Sequence, residues 1–366
     1  MPSKPNDRVP GNRKRVSLVL TVKNEAASLP ELLASVEQQT RRPDEIVVVD
    51  GGSQDETVAL LERWQDRLPL RIIVLPGATI AEGRNRAVAE ATGEIVAVTD
   101  GGVILERDWL ERLVAPFETA QPPDVVSGFF VADPRTPVEL ALAVTTLPDV
   151  DEVVPARFLP SSRSVAFRRS LFLAGLRYPE WLDYCEDVVF DLRLQRAGAR
   201  FAFEPGAIVR YRPRRSLGAF ALQYFRYARG DGKAGLFAAR HAVRYATYLG
   251  FLPLVIWLRR WWLFLLAGIG ALAYLRRPYR RLWRRRSAFP RRWLAQAALL
   301  IPLVRLVGDV AKQAGYPIGL AWRAGRYGLR RTWRSIPEHV PPPPAVRGGR
   351  TRLPTTSPAD GTPGDA

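Results

Sequence analysis

Through the first third of the chain, apolar residues come in short runs separated by stretches of helical spacing. Runs at 16–22, 45–50, 70–75 and 95–98 are rich in valine and isoleucine, as in strands buried on both faces of a parallel sheet. Between them, Leu29, Leu32, Leu33 and Val36 lie on one face of a helix over 29–39, with Ser28 as its N-cap and Pro43 beyond its end. Further helices are predicted over 57–64 and 83–91. This alternation means βαβ units and a mostly parallel sheet, an α/β fold. Later come a helix at 109–114, a strand at 125–131 and a helix over 188–197 headed by Glu186 and Asp187. The stretch 155–164, with Arg157, Ser161, Ser162 and Arg163, reads by default as a surface loop, the alternative being a mobile acceptor loop.

Two of the strands end on aspartate. Asp50 is followed by Gly51-Gly52-Ser53-Gln54-Asp55, and Asp100 by Gly101-Gly102. In a parallel sheet both point the same way, so both carboxylates line the edge where open α/β sheets bind ligands. Oxygen ligands there suit Mg²⁺ or Mn²⁺, ions that usually ride on phosphates.

After Gly235 the pattern changes. Residues 245–258 and 261–275 carry no charge, with Arg259-Arg260 between them. Each is shorter than the roughly 18 residues of a confident spanning helix. A spanning hairpin and a re-entrant or interfacial pair both fit. The stretch 293–304, broken by Pro302 and Arg305, reads as interfacial. Trp257, Trp261, Trp262, Trp283 and Trp293 suit the headgroup level, and the seven arginines of 276–286 argue for a cytoplasmic flank. The expected organisation is a disordered N-terminus over 1–13, a catalytic domain over 14–235, a membrane-associated helical region over 236–335 and a disordered Pro/Gly-rich tail over 336–366.

Charge sharpens that division. The 366 residues carry a net +18, yet residues 1–235 hold 31 Lys+Arg against 32 Asp+Glu, a net of −1, and residues 236–366 hold 23 against 4, a net of +19. Basic clusters flanking Trp- and Leu-rich segments fit a surface of anionic lipid, and the charge balance of 1–235 argues against nucleic acid as a partner. The single cysteine, Cys185, rules out an internal disulfide framework and a multi-cysteine metal site. Met1 to Arg15 is polar and basic, so no secretory leader is expected.

In order, Val22-Lys23-Asn24-Glu25, Val48-Val49-Asp50 through Thr57, Gly83-Arg84-Asn85-Arg86-Ala87 through Glu94, Thr99-Asp100-Gly101-Gly102, and Glu186-Asp187 through Gly198 resemble the family 2 glycosyltransferases with the GT-A fold. The resemblance spans about 14–235 and includes Val165-Ala166-Phe167 as the strand before the base. It implies that Glu25 and Asp50 contact the base and ribose of a nucleotide-sugar donor, and that Arg84 or Asn85 lies near its diphosphate. It also implies that Asp100 holds Mg²⁺ or Mn²⁺ and that Asp187 is the catalytic base. Two departures stand out. The usual Asp-Asp-Gly-Ser is Asp50-Gly51-Gly52-Ser53, and the usual Asp-x-Asp is Asp100-Gly101-Gly102, so each motif lacks one carboxylate.

Elementary chemistry supports these roles. Loss of the nucleotide builds charge on its terminal phosphate, which a metal clamped by Asp100 would neutralise. An acceptor hydroxyl needs a base in hydrogen-bond reach, and a single base opposite the leaving group inverts the anomeric centre. Glu186 is a candidate for the acceptor or diphosphate region and reads equally as a helix N-terminal charge, while Asp191 reads as a surface charge. Gln223-Tyr224-Phe225-Arg226-Tyr227 resembles the Gln-x-x-Arg-Trp motif of processive polysaccharide synthases, with tyrosine in the tryptophan's place. Gln223, Arg226 and Tyr227 are thus candidates near the acceptor or diphosphate, the other reading being a plain amphipathic helix. The expectation is an inverting transferase held at the cytoplasmic face of the cell (inner) membrane, with a lipid-linked or glycan acceptor. A processive synthase, or a non-catalytic membrane scaffold that retains the fold, is the alternative.

Overall fold

The computed structural model describes residues 13–337; the expected disordered segments lie almost wholly outside them. Strands β1 (Val16–Val22), β2 (Glu45–Asp50), β3 (Leu70–Val74) and β4 (Ile95–Val98) alternate with helices α1 (Leu29–Glu37), α2 (Thr57–Trp64) and α3 (Ile80–Glu90). Next come β5 (Val103–Leu105), α4 (Trp109–Val114), β6 (Val125–Ala132), α5 (Pro137–Thr146), β7 (Val165–Arg168), α6 (Arg169–Leu173), α7 (Glu186–Arg196) and β8 (Phe201–Tyr211). All eight strands form one sheet in the order β3-β2-β1-β4-β7-β6-β8-β5. β1 to β4 are parallel; β7 runs antiparallel to β4 and β6, and β8 is parallel to β6.

The period of two along each strand sorts its side chains to opposite faces. Leu18, Leu20, Ile46, Val48, Ile95 and Ala97 pack under α1, α2 and α4 with Leu29, Leu61 and Trp109. Val19, Val47, Val49, Val96 and Val98 pack under α3, α6 and α7 with Ala87, Phe172, Phe190 and Leu194. Both faces are thereby covered, as the near-continuous apolar runs require.

Local chemistry moves several boundaries. α3 starts three residues earlier than expected, because Thr79 and Glu82 form a capping box: the Glu82 N–H donates to Thr79 Oγ1 at 3.3 Å and the Thr79 N–H to Glu82 Oε2 at 2.8 Å. Ser28 precedes α1 but does not cap it; its hydroxyl donates to the Glu25 carboxylate. β8 is a strand the periodicity did not reveal, since Pro205 and Gly206 interrupt it. Its register with β6 jumps between Ser127 and Phe129, which absorbs the interruption as a bulge.

The C-terminal helices are α8 (Leu217–Ala234), α9 (Ala238–Tyr245), a π-helical turn over Ala246–Phe251, α10 (Leu252–Leu258), α11 (Trp261–Arg284) and α12 (Arg291–Tyr327). Residue 235 separates α9 to α12 from the catalytic part, which includes α8, in sequence but not in packing. Leu140 and Val144 of α5, Phe220 of α8, Leu282 of α11 and Ala297, Ile301 and Val304 of α12 form one cluster. The stretch 293–304 lies inside a longer helix: α12 runs unbroken through Pro302 and Pro317, with its inner face packed along α5 and α8. Among the described residues α12 is the one helix long and apolar enough to cross a membrane. The arginine run is also engaged. Arg280 and Arg281 pair with Glu152, Arg284 with Asp151 (2.8 Å) and Arg285 with Asp149 (2.6 Å).

α10 and the first half of α11 instead form a hairpin with apolar side chains facing outward. Trp257 is 78% exposed and Trp261 76%, with Ile256, Leu265, Ile269 and Leu272 also exposed. Arg259, in the left-handed region at φ 50°, makes the turn at its tip.

Candidate active site

The ends of β1, β2 and β4 meet at one edge, where Val22 pairs with Asp50 and Val19 with Val98. Asp50 is buried, and its Oδ1 accepts the N–H groups of Gly52 (2.9 Å) and Ser53 (2.8 Å). This turn needs Gly52 at φ 84°, with its α-carbon side close against Pro76. Asn24, itself left-handed at φ 55°, laces the neighbouring loop to it: its Oδ1 accepts from the Gln54 N–H at 2.8 Å. Glu25 follows, leaning over the two glycines after Asp100. A Cβ at Gly101 would stand 3.1 Å from Glu25 Cγ, and one at Gly102 would stand 3.8 Å from Glu25 Oε2. Glu25 thus carries a carboxylate into the space that a second aspartate of the motif would enter.

Asp100 is bracketed by two arginines. Arg84 of α3, 3% exposed, donates from Nη2 to Asp100 Oδ1 at 2.8 Å and from Nη1 to Glu186 Oε1 at 2.5 Å. Arg163 lies 3.6 Å from Asp100 Oδ2 and stacks over the Tyr211 ring at 4.9 Å. The carboxylates Asp100 and Glu186 hold the Arg84 guanidinium protonated against the cost of burial.

α7 delivers the acids. Cys185, left-handed at φ 65°, turns the chain into the helix. Burial, with Asp187 beside it, pushes the Glu186 carboxyl up to about 7 against the pull of Arg84. Asp187 is less enclosed, and its Oδ1 accepts the Val188 N–H at 2.8 Å. Asp191 is not the surface charge expected from its place in the sequence. It is 3% exposed, burial raises its pKa well above the usual carboxylate range, and its Oδ2 has no hydrogen-bond partner. The reason is the packing of Phe190 and Leu194 against the sheet, which turns that side of α7 inward.

Asn85 takes a supporting place. Its side chain exchanges hydrogen bonds with the backbone of Tyr178 (2.8 and 3.0 Å), fixing the loop that leads to α7. α8 closes the site from the other side. A Cβ at Gly230 would meet the Tyr184 carbonyl at 2.6 Å, so α8 lies directly on the loop before α7. Gln223 donates to the Tyr227 hydroxyl at 2.8 Å. Burial pushes that hydroxyl's pKa up, with Arg163 opposing and Asp187 adding to the shift. Arg226 is exposed and donates to the Tyr184 hydroxyl at 3.1 Å.

The loop before β7 is not wholly mobile. Ser162 and Ser164 are buried, and the Ser164 hydroxyl donates to the Ala207 carbonyl at 3.0 Å while accepting from Trp109 Nε1 at 2.8 Å. Arg163 is thus a fixed part of the site. Its signal lay in the antiparallel pairing of Val98 with Val165, a tertiary fact that periodicity does not carry.

Among the described residues no group of three or more His, Cys, Asp or Glu side chains is arranged to hold a metal. Asp100, with Glu25 beside the vacant second position, fits a divalent ion only if phosphate oxygens and water complete its shell, which is how Mg²⁺ is commonly bound.

Residues 17–155 match the family description Glycosyl transferase family 2. The chain is 26% identical over 216 residues to the O-antigen chain rhamnosyltransferase RfbN of Salmonella typhimurium, covering 54% of this chain and 66% of that one. It is 33% identical over 115 residues to a PGL/p-HBAD biosynthesis glycosyltransferase of Mycobacterium bovis, covering 31% of this chain and 45% of that one. The chain thus spans less than two thirds of the length of these curated relatives. Among solved structures, the mannosyltransferase PcManGT from Pyrobaculum calidifontis, in complex with GDP-Man and Mn2+, matches with a TM-score of 0.51 and 20% identity over 87% of this chain and 89% of that one. At that identity the likeness is one of fold.

Proposed function

The chain belongs to the family 2 glycosyltransferases and has the GT-A fold, and from that premise we propose that it transfers a sugar from a nucleotide-diphospho-sugar to an acceptor at the cytoplasmic face of the inner membrane, with inversion. The observation that carries this reading is the bridge made by Arg84, which ties Asp100 at the strand edge to Glu186, the neighbour of Asp187. One guanidinium thereby joins the leaving-group side of the site to the side that holds the base.

In the proposed reaction the donor's diphosphate faces Arg163, with Arg84 buried behind Asp100, and their positive charge opposes the charge that builds as the glycosidic C–O bond breaks. Asp100, with Glu25 at hand, would hold Mg²⁺ or Mn²⁺ on the same diphosphate, where the ion would supply further charge neutralisation. The acceptor oxygen forms the new bond to the anomeric carbon from the opposite face. Its proton passes to the Asp187 carboxylate, and the nucleoside diphosphate leaves. Glu25 and Asp50 are proposed to shape the nucleoside end, and Gln223, Arg226 and Tyr227 the acceptor end.

The outward-facing apolar hairpin of α10 and α11 supports a membrane-borne acceptor, since patches of that size mark membrane or partner contact. The test is transfer of radiolabel from a panel of nucleotide sugars into the lipid fraction of membranes, alongside thermal-shift screening of the same donors. A donor at 100 times its dissociation constant adds about 2.7 kcal/mol. Absence of any stabilising donor overturns the reading.

A further inference from the structure

Between the catalytic domain and the apolar hairpin lies a cluster of charges that the donor site does not use. Asp309 is buried in α12, where its carboxylate accepts from Arg244 Nε (2.9 Å), the Tyr248 hydroxyl (3.1 Å) and the Tyr274 hydroxyl (2.7 Å). Lys312 stands 3.9 Å from Asp309 and 4.7 Å over the Tyr224 ring. Arg305 lies 4.6 Å over the Tyr274 ring, and its Nε is buried with no hydrogen-bond partner. A second carboxylate, Asp231, is occupied by His241 at 3.1 Å, which in turn meets Arg244 at 3.2 Å.

Both carboxylates are therefore engaged, against three cations, Arg244, Arg305 and Lys312, which leaves one positive charge in excess. Lys312 is held only loosely, and among the described residues no carboxylate lies within ion-pair reach of Arg305. A half-enclosed guanidinium without an anion is costly, and its planar donor fork matches phosphate. The surroundings say where that anion comes from. Tyr274 belongs to α11 and Tyr248 to the turn before α10, so the cluster sits at the root of the hairpin whose Trp257, Trp261 and Leu265 are exposed. On the other side, the Tyr224 ring is 5.7 Å from Tyr227, which borders Asp187.

We propose that Arg305 and Lys312 bind the phosphate at the head of a lipid-linked acceptor, whose chain lies along the hairpin and whose reacting end passes Tyr224 and Tyr227 toward Asp187. This rests on the transferase reading and adds to it the acceptor's phosphate site. A head-group phosphate is favoured over free phosphate because the two cations adjoin apolar surface on the hairpin side.

The test uses the full chain and flotation with phosphatidylcholine vesicles that carry a polyprenyl phosphate, the matching polyprenol or phosphatidylglycerol, with inorganic phosphate as a soluble competitor. Tighter binding to the polyprenyl phosphate than to the polyprenol is expected. Arg305→Gln and Lys312→Gln should each weaken that binding by about tenfold, as loss of a charge-assisted contact does. Binding to polyprenol vesicles and calorimetric donor affinity should not change. Lys312→Arg, which keeps the charge, should retain most of the binding, and Arg305→Lys, which keeps the charge but loses the planar fork, should bind between the unmodified chain and Arg305→Gln; thermal melting checks that every variant is folded.

Equal binding of phosphate and alcohol, unchanged binding in both glutamine variants, or equal loss in the charge-keeping variants overturns the proposal. Competition by inorganic phosphate at matching affinity overturns the lipid assignment, and equal binding of phosphatidylglycerol overturns the acceptor assignment. Failure of the unmodified chain to bind any donor is a different result, which counts against the transferase reading itself.

Discussion

Arg84 donates to Asp100 at 2.8 Å from a guanidinium that is almost wholly buried, so the carboxylate at the end of β4 is aimed by an α3 side chain. Asp100 itself is partly exposed, with its second oxygen turned toward Arg163. Asp100→Ala should therefore fold, because Arg84 keeps Glu186 as a partner. It should lose the metal-dependent part of donor affinity. Calorimetric titration of nucleotide sugar with and without Mn²⁺ checks this, and metal-dependent affinity that survives in the variant would remove Asp100 from the metal site.

Asp187→Asn separates a base from a helix cap. Asparagine can still accept the Val188 N–H but cannot take the acceptor's proton. Donor affinity should stay nearly intact while turnover falls by roughly 10²-fold or more. Turnover within a few-fold of the unmodified protein would move the base elsewhere. Asp183 is a poor substitute, because Arg229 and Lys233 already hold it and keep its pKa below the usual carboxylate value.

Glu186 gives the site a pH signature. Burial raises its carboxyl from 4.5 to about 7, so between those values the native protein holds a proton that the unfolded chain has released. The corresponding stability is fully present below about pH 4.5 and is lost as pH rises toward about 7, at about 1.4 kcal/mol per unit. Glu186→Gln stays neutral and still offers Arg84 an oxygen. Thermal melts from pH 4.5 to 8 should show the variant gaining on the unmodified protein across that window. Parallel curves would mean that Glu186 is ionised throughout. The raised pKa of Asp191 has the same sign but is common to both proteins, so it cancels in the difference.

The carboxyl edge was legible in the sequence because strand runs ending at Asp50 and Asp100 need only a parallel sheet to bring them together. Arg84 and Asp187 were reached through the resemblance to the family 2 glycosyltransferases. Arg163 and Asp191 were misjudged for a shared reason: their burial follows from pairing and packing between distant segments, β7 on β4 and α7 on the sheet. In the C-terminal third the length of the last helix was hidden for a different reason. Pro302 and Arg305 look like breaks in an apolar stretch, yet α12 continues because α5 and α8 cover its inner face. The arginines of 276–286 argued for a cytoplasmic flank from charge alone; the ion pairs that four of them make with Asp149, Asp151 and Glu152 were not legible, because those partners lie some 130 positions away in sequence.

The seam between α8 and α12 supplies a last test of whether α12 belongs to the catalytic unit. A Cβ at Gly319 would stand 2.0 Å from the Arg229 carbonyl oxygen, and one at Gly315 would stand 2.1 Å from that of Phe225. Those are backbone atoms, so a methyl group can enter only if the two helices separate. Gly319→Ala should cost about 1–3 kcal/mol by overpacking, although alanine is the better helix former. Gly325, in the same helix, has nothing within 4 Å of its Cβ position, so Gly325→Ala should be neutral or stabilising by up to about 1 kcal/mol. Because α8 carries Tyr227 beside the site, the Gly319 variant should also lose transfer rate while the Gly325 variant keeps it. If α12 only rests on the domain and its place is set by lipid, both alanines should raise helix stability alike and leave transfer unchanged. Denaturation midpoints and transfer rates for the two variants, measured side by side, decide between these outcomes.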